Sequence, residues 1–330
     1  MPTSGSYNFS LSAGQVIAAA YEDMGVVHAG GTISAADSTL ALTRLNILVK
    51  QLSGDPDMSR GLKLWTRQRV TMALAVGQQT YHIGPASGDA RASTQMGRTT
   101  LDAAEALGQT VLSVTATEDT TTYPGTTLTM TAADIIGIEQ DDGTIFWSTV
   151  SSISAGDTVT IGTGLAVAAA SGKYVWWFTA RAQRLVEVES AVLRNASFGA
   201  TQMNDRPLDI YREVRQYEEG VVNKYSRGTP TCLLIEPLRL TTRITLNAQP
   251  TDITEQIVFT ALYPQEDYDA TTDDVAFPQE CFGMLSWELA FLLAPSVGRW
   301  TPEMQANRER AVGIYKGLNP EMCDLYFGSN

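Results

Sequence analysis

Asp134-Ile135-Ile136-Gly137-Ile138-Glu139 and Thr144-Ile145-Phe146-Trp147-Ser148-Thr149-Val150 flank the connector Gln140-Asp141-Asp142-Gly143. Both runs are short and rich in β-branched and aromatic residues, as strands with one buried face are. Asp142-Gly143 supplies the positive φ that a tight turn between antiparallel strands demands. The stretch reads as a β-hairpin, so the middle of the chain is β structure.

Further short runs lie on either side of this hairpin. Thr110–Thr117, Thr126–Met130, Thr158–Ile161 and Lys173–Phe178 have the same character, and Gly156-Asp157 is a second, weaker turn signal. Regular short strands with turn residues between them indicate a compact sandwich or small barrel. Residues 86–180 hold three cations (Arg91, Arg98, Lys173) against ten acids, more than half of the net charge of −13. This Thr-rich acidic segment reads as an inserted β domain.

Helical patterns stand at both ends of the chain. Ser12-Ala13-Gly14-Gln15 is a capping box, in which Ser12 accepts from the N3 amide and Gln15 reaches back. Val16, Ile17, Ala20, Tyr21 and Met24 follow at helical spacing, and Gly25 is a fitting stop. A second helix begins near Ser34, lines one face with Ala41, Leu45, Leu48, Val49 and Leu52, and stops at Gly54-Asp55-Pro56. Arg69–Leu74 and Gln79–Ile83 then read as strands about a Val76-Gly77-Gln78 turn.

After the insert, Leu185–Leu193, Thr231–Ile235, Arg243–Leu246 and Gln256–Tyr263 read as strands, and Glu213–Asn223 as a short helix. Phe277-Pro278 opens a helix running to Pro295, and Thr301-Pro302-Glu303 starts the last one with an N-cap, a proline at N1 and an acid in the first turn. The expected fold class is α+β. Its N- and C-terminal helix pairs pack on each other as a bundle, with a central β-rich part and an inserted sandwich- or barrel-like domain. The expected divisions are 1–85, 86–180 and 181–330.

The chain has 330 residues, 44% hydrophobic and 18% charged, enough apolar material for a core. Its acidity speaks against a sequence-reading nucleic-acid binder. Cys232, Cys281 and Cys323 are too widely spaced for a metal cluster, and His28 and His82 sit in no catalytic motif. G-x-S-x-G, G-x-x-x-x-G-K-[ST] and G-x-G-x-x-G are all missing. The expectation is a protein that is not an enzyme, with no catalytic, cofactor-binding or metal residue and no cofactor. The N-terminus lacks a signal-peptide pattern and no run suits a membrane span, so the expectation is a soluble protein that is not secreted by that route.

Three clusters are candidates for contact. Arg60, Lys63, Arg67 and Arg69 form a basic run suited to DNA phosphates or an acidic subunit surface. Glu266, Asp267, Asp269, Asp273 and Asp274 form an acidic loop suited to a subunit contact or a channel wall. In a ring each contact is heterologous, so opposite patches on one subunit meet its two neighbours. Leu325, Tyr326 and Phe327 place apolar side chains beyond the last helix, where they call for a partner.

The ordered set formed by the two N-terminal helices, Trp65-Thr66-Arg67, Gly77-Gln78-Gln79-Thr80-Tyr81-His82-Ile83-Gly84, Arg206-Pro207-Leu208, Ser226-Arg227-Gly228-Thr229-Pro230 and Phe277-Pro278-Gln279-Glu280 resembles the head-to-tail adaptor family of short-tailed bacteriophages. That family is also called tail accessory factor or packaged-DNA stabilisation protein. The likeness covers roughly residues 9–85 and 181–320, and the 86–180 segment is similar to β insertions in larger members. The resemblance implies a virion protein at the head–tail junction, assembled in the bacterial cytoplasm. It implies a homo-oligomeric ring, usually of twelve copies, beneath the portal protein. Such a ring extends the DNA channel, helps retain the packaged genome and docks the tail nozzle.

Its implied partners are the portal, the nozzle, tail fibres or spikes, and double-stranded DNA passing without sequence specificity, with no membrane. The C-terminal segment, with Leu325-Tyr326-Phe327, would reach the portal. Two rival readings stand beside this one. The first is a tail component that binds or degrades carbohydrate through the insert, suggested by Trp147, Trp176 and Trp177. The second is a tail tubular or stopper protein one layer below.

Overall fold

The computed structural model describes residues 8–28, 30–54, 67–86, 88, 91–122, 126–195, 205–222 and 226–317. The chain divides into two compact units, residues 1–66 with 264–330, and Arg67–Tyr263.

The first unit is helical: α1 (Ala13–Asp23), α2 (Ala35–Gly54), and, from the other end of the chain, Phe282–Val297 and Pro302–Gly317. The capping box forms as the sequence predicts, with Gln15 N donating to Ser12 Oγ at 3.3 Å and Ser12 N to Gln15 Oε1 at 2.9 Å. Gly25 takes φ +65°, the left-handed conformation that ends α1. Val16, Ile17, Ala20 and Tyr21 meet Leu45, Val49, Leu285 and Leu289 in one buried cluster. The helix starting at Phe282 runs through Pro295 to Val297, two residues beyond the expected stop. A proline in the last turn removes one donor, and the chain turns away only at Gly298, at φ +65°.

Among the described residues the second unit is β apart from α3 (Val214–Gly220); the two later helices are accordingly α4 (Phe282–Val297) and α5 (Pro302–Gly317). A five-stranded sheet orders Asp205–Pro207, Glu187–Asn195, Glu255–Leu262, Arg67–Ala73 and Ala92–Ser93. Its central register places Val70 opposite Phe259 and Met72 opposite Ile257. A four-stranded sheet orders Asp209–Tyr211, Cys232–Pro237, Thr242–Leu246 and Thr80–Ile83. Alternate residues of the two sheets (Val70, Met72, Ile257 and Phe259 with Ile83, Leu233, Ile244 and Leu246) share one core, the arrangement of a sandwich.

A six-stranded antiparallel sheet lies between Gly97 and Phe178, in the order Gly97–Thr100, Tyr174–Phe178, Ile135–Glu139, Ile145–Ser154, Thr158–Ile161 and Val111–Ser113. Its two edges approach each other. Leu101 and Val114 form an antiparallel bridge, and Thr115 N donates to Thr100 O at 2.8 Å. The sheet thus curls most of the way into a barrel around Leu112, Ile136, Ile138, Val150, Val159 and Val175, which removes two exposed edges. The hairpin at Asp142-Gly143 forms, with Ile138 opposite Phe146 and Gly143 at φ +79°.

The α+β expectation, with terminal helix pairs forming a bundle, is overturned. The protein is mostly β, about 34% strand against 25% helix, with several sheets and no clear N- and C-terminal helical bundle. Two physical reasons account for the difference. Among the described residues nineteen strands lie between Arg67 and Leu262, many of them runs too short and irregular to weigh heavily in a pattern reading, such as Gly97–Thr100. At the other end, α5 is too polar to supply one side of a bundle. Met304 is its one fully buried apolar residue among those described, so the helices gather around α4 instead of pairing two against two.

Candidate functional site

The acidic loop of the sequence reading is a fixed strap. It spans residues 264–278 and lies along α1 and α2 within the first unit. Ala13 N and Gly14 N, two donors that a helix N-terminus leaves unsatisfied, bond to Asp273 O and Thr271 O, both at 2.8 Å. Val275 N donates to Leu11 O at 2.9 Å, and Ser12 bridges Asp274. Further along, Asn46 of α2 makes a two-way clasp with the Tyr268 backbone. Its Nδ2 donates to Tyr268 O at 2.9 Å, and its Oδ1 accepts from Tyr268 N at 2.8 Å.

The five carboxylates of the strap differ in what they do. Asp273 folds back on its own turn, its Oδ2 accepting from the amides of Asp269 and Ala270 at 2.8 Å. Asp267 pairs with Lys50 Nζ at 2.9 Å, and the same ammonium donates to Gln265 O. Glu266, Asp269 and Asp274 point to solvent. Tyr268 anchors the middle, and its burial pushes the phenol up to about 12. The result is four exposed carboxylates, Asp267 in its pair with Lys50 and Glu266, Asp269 and Asp274 beside it, on a backbone that two helices hold in place, at the positively polarised N-terminus of α1.

The basic run is only partly placed. Arg60 and Lys63 lie outside the described residues, as do Leu325, Tyr326 and Phe327. Arg67 and Arg69 stand on the exposed start of the strand Arg67–Ala73. Arg67 is engaged by Glu189, with Nε to Oε2 at 2.7 Å and Nη2 to Oε1 at 2.8 Å. Arg69 is exposed, and its field helps hold the Asp205 carboxyl below the ordinary aspartate range, after the hydrogen bonds that Arg194 makes to it. The Arg67–Glu189 pairing joins residues 122 positions apart in the sequence, which a local pattern does not reveal.

The tryptophans of the insert are mainly core residues. Trp176 and Trp177 are buried, while Trp147 is half-buried and packs on Phe178. His28 and His82 are exposed, and Cys232 and Cys281 are buried free thiols; Cys323 lies outside the described residues. Among the described residues, no group of three or more His, Cys, Asp or Glu side chains is placed to hold a metal ion, and no helix is long and apolar enough to cross a membrane.

Sequence reasoning missed Asn46, the residue that fixes the strap to α2. Its signal was a short amide in a helix interior, where asparagine is a poor helix former and stays for what its side chain bonds. It also missed Glu288, nearly buried on α4, which receives Arg308 Nε at 2.8 Å while that guanidinium stacks over Phe291 at 4.5 Å. Comparison with family models, with curated proteins and with solved structures finds no match for this chain.

Proposed function

We propose that the chain is a structural head-to-tail adaptor of a phage virion. It acts as one subunit of a ring beneath the portal that extends the DNA channel, helps retain the genome and docks the tail nozzle. The observation that carries this reading is the held acidic strap. Duplex DNA bears a dense line of phosphates, and a wall that neutralised them would grip it. A wall of carboxylates repels them and lets DNA slide. Such a wall works best when its charges cannot fold away, and Glu266, Asp269 and Asp274 stand on a backbone bonded to both α1 and α2.

The ordered residues that carry the family resemblance support the same reading. Several fall at joints of the fold, among them Ser12 at the α1 cap, Gln79 and Tyr81 around the strand Thr80–Ile83, and Phe277-Pro278 at the end of the strap. Exposed Arg69 and the exposed strap carboxylates offer opposite charges for neighbouring subunits. Native mass spectrometry of the full chain, alone and with portal protein, tests the reading. Twelve copies with or without portal are expected. A monomer or trimer that persists at high concentration with portal added would overturn it.

A further inference from the structure

Two helices of the first unit each turn one face to solvent. Both pack on α4, α2 through Leu45 and Val49 and α5 through Met304. The outward face of α2 carries Asp37, Leu40, Arg44 and Ile47, at the three- and four-residue steps that keep side chains in one line. Leu40 and Ile47 are 40% and 42% exposed. The outward face of α5 carries Glu303, Asn307, Arg310 and Ile314, with Trp300 just ahead of the helix. Trp300 and Ile314 are 51% and 57% exposed.

The turn that presents Trp300 is fixed from both sides. Gly298 caps α4 at φ +65°, Arg299 N donates to Ala294 O at 3.1 Å, and Thr301 Oγ1 accepts from Met304 N at 3.3 Å. The side chains of Arg44, Glu303 and Arg310 have no ion-pair partner among the described residues. Asp37 takes the Ser34 hydroxyl on Oδ2 at 2.7 Å, which leaves Oδ1 for another donor.

The order of charge matches the two faces to each other. Along α2 Asp37 precedes Arg44 by seven residues, and along α5 Glu303 precedes Arg310 by seven, about 10 Å on either helix. Laid antiparallel, the helices set Asp37 against Arg310 and Arg44 against Glu303 in a single register. Laid parallel, they set like charges together. The antiparallel register also brings Ile47 to Trp300, and Ile314 to the half-buried Ile33 ahead of α2, so apolar side chains close both ends. A face laid on its own copy would cross its charges too. However, α2 on α2 sets Ile47 against Ser34, and α5 on α5 sets Trp300 against Gly313. Both faces stand exposed in the single copy, so the match needs a second one.

We infer that the α2 face of one copy docks antiparallel on the α5 face of the next, with Arg44–Glu303 and Asp37–Arg310 inside and Ile47–Trp300 at one end. Such a contact is heterologous: each copy offers one face to either neighbour, and assembly runs past the dimer. The inference deepens the ring reading, on which it rests for closure, by naming the surface between subunits.

Sedimentation velocity of the full chain across about 1–100 µM tests it. Arg44→Glu and Glu303→Arg should each weaken association at least about tenfold, since each sets like charges face to face. An equimolar mixture of the two should recover wild-type association to within about threefold, because contacts that alternate the variants join opposite charges again. Trp300→Ala, at an exposed position, should weaken association about tenfold and leave the urea midpoint of the monomer unchanged. It decides the matter if Glu303→Arg fails to fold. Wild-type association in Arg44→Glu or Trp300→Ala, or no recovery in a mixture of folded variants, would overturn the inference and leave the ring reading standing. A wild-type chain that stays monomeric at about 100 µM would overturn it as well, and a twelve-copy ring seen only with portal would then uphold the ring reading alone.

Discussion

Gly14 donates its backbone amide to the carbonyl of Thr271 at 2.8 Å, across 257 residues of sequence. A Cβ on Gly14 would sit 2.9 Å from that oxygen and 3.2 Å from the Thr271 Cβ. Glycine thus lets the strap lie against the first turn of α1. Gly14→Ala sets a helix-propensity gain of about 1 kcal/mol against that overlap and the loosening of both strap bonds. The overlap should win, with a net loss of about 1–2 kcal/mol in denaturant unfolding. A more stable variant would mean that the strap moves aside freely.

Asn46→Ala breaks both bonds to Tyr268 and leaves a buried backbone pair unsatisfied. The expected cost is about 1–3 kcal/mol, visible as a lower urea midpoint, with hydrogen exchange speeding up at Tyr268 before the rest of the unit. Lys50→Ala removes an ion pair whose partners are 44% and 65% exposed, and should cost less than about 1 kcal/mol.

On α4 and α5, the consequences of breaking one ion pair depend on which partner goes. Arg308→Ala strands the Glu288 carboxylate, whose side chain is only 6% exposed, and also uncovers Phe291. Arg308 itself is 34% exposed, so the loss should be moderated to about 1–3 kcal/mol. Glu288→Gln keeps the shape and should cost less. Equal midpoints for the two variants would rule out the buried-charge explanation.

In the barrel, Gly97 faces Trp177 so closely that a Cβ would fall 2.4 Å from the indole. Gly97→Ala must displace a buried ring, and a loss of about 3 kcal/mol is expected in thermal unfolding of the full chain. Gly172→Ala meets no atom within 4 Å but carries φ +83°, so its smaller cost, about 1 kcal/mol, is backbone strain alone.

Acid should act in two opposite steps. Burial raises the carboxyls of Glu255 and Asp23 above their ordinary values of 4.5 and 3.8. Their folded forms therefore hold protons more tightly than the unfolded chain, and their contribution grows as pH falls through the folded values. Asp119 and Asp205 shift the other way. Burial would raise Asp119, but the bonds from Thr121 and Thr122 outweigh it, while Arg194 lowers Asp205. Their contribution is complete above about pH 4 and is lost below it. Urea midpoints should rise slightly on mild acidification and drop steeply below pH 4, with Asp119→Asn blunting the drop. A monotonic fall from neutral pH would contradict the first step.

The parts that could be read from sequence share one property: they are local. Ser12 and Gln15 are three residues apart, Asp142-Gly143 carries its own turn chemistry, and Thr301-Pro302-Glu303 starts a helix by itself. The misread parts depend on distant partners. Glu189 neutralises Arg67, Asn46 holds Tyr268, and Leu101 meets Val114 only after the sheet has curled. The fold class failed for a related reason. Two-residue strands such as Ala92–Ser93 and Ala248–Gln249 exist only through their partners, and the weak apolar face of α5 left fewer helical residues to build a bundle.

The most direct test of the adaptor proposal is electron cryomicroscopy of the full chain mixed with portal protein. The proposal requires class averages of a twelve-subunit ring under the portal, with Glu266, Asp269 and Asp274 facing the lumen. Isolated single copies or trimers beside an undecorated portal would contradict it, and a ring with the strap on its outer wall would contradict the role given to those carboxylates.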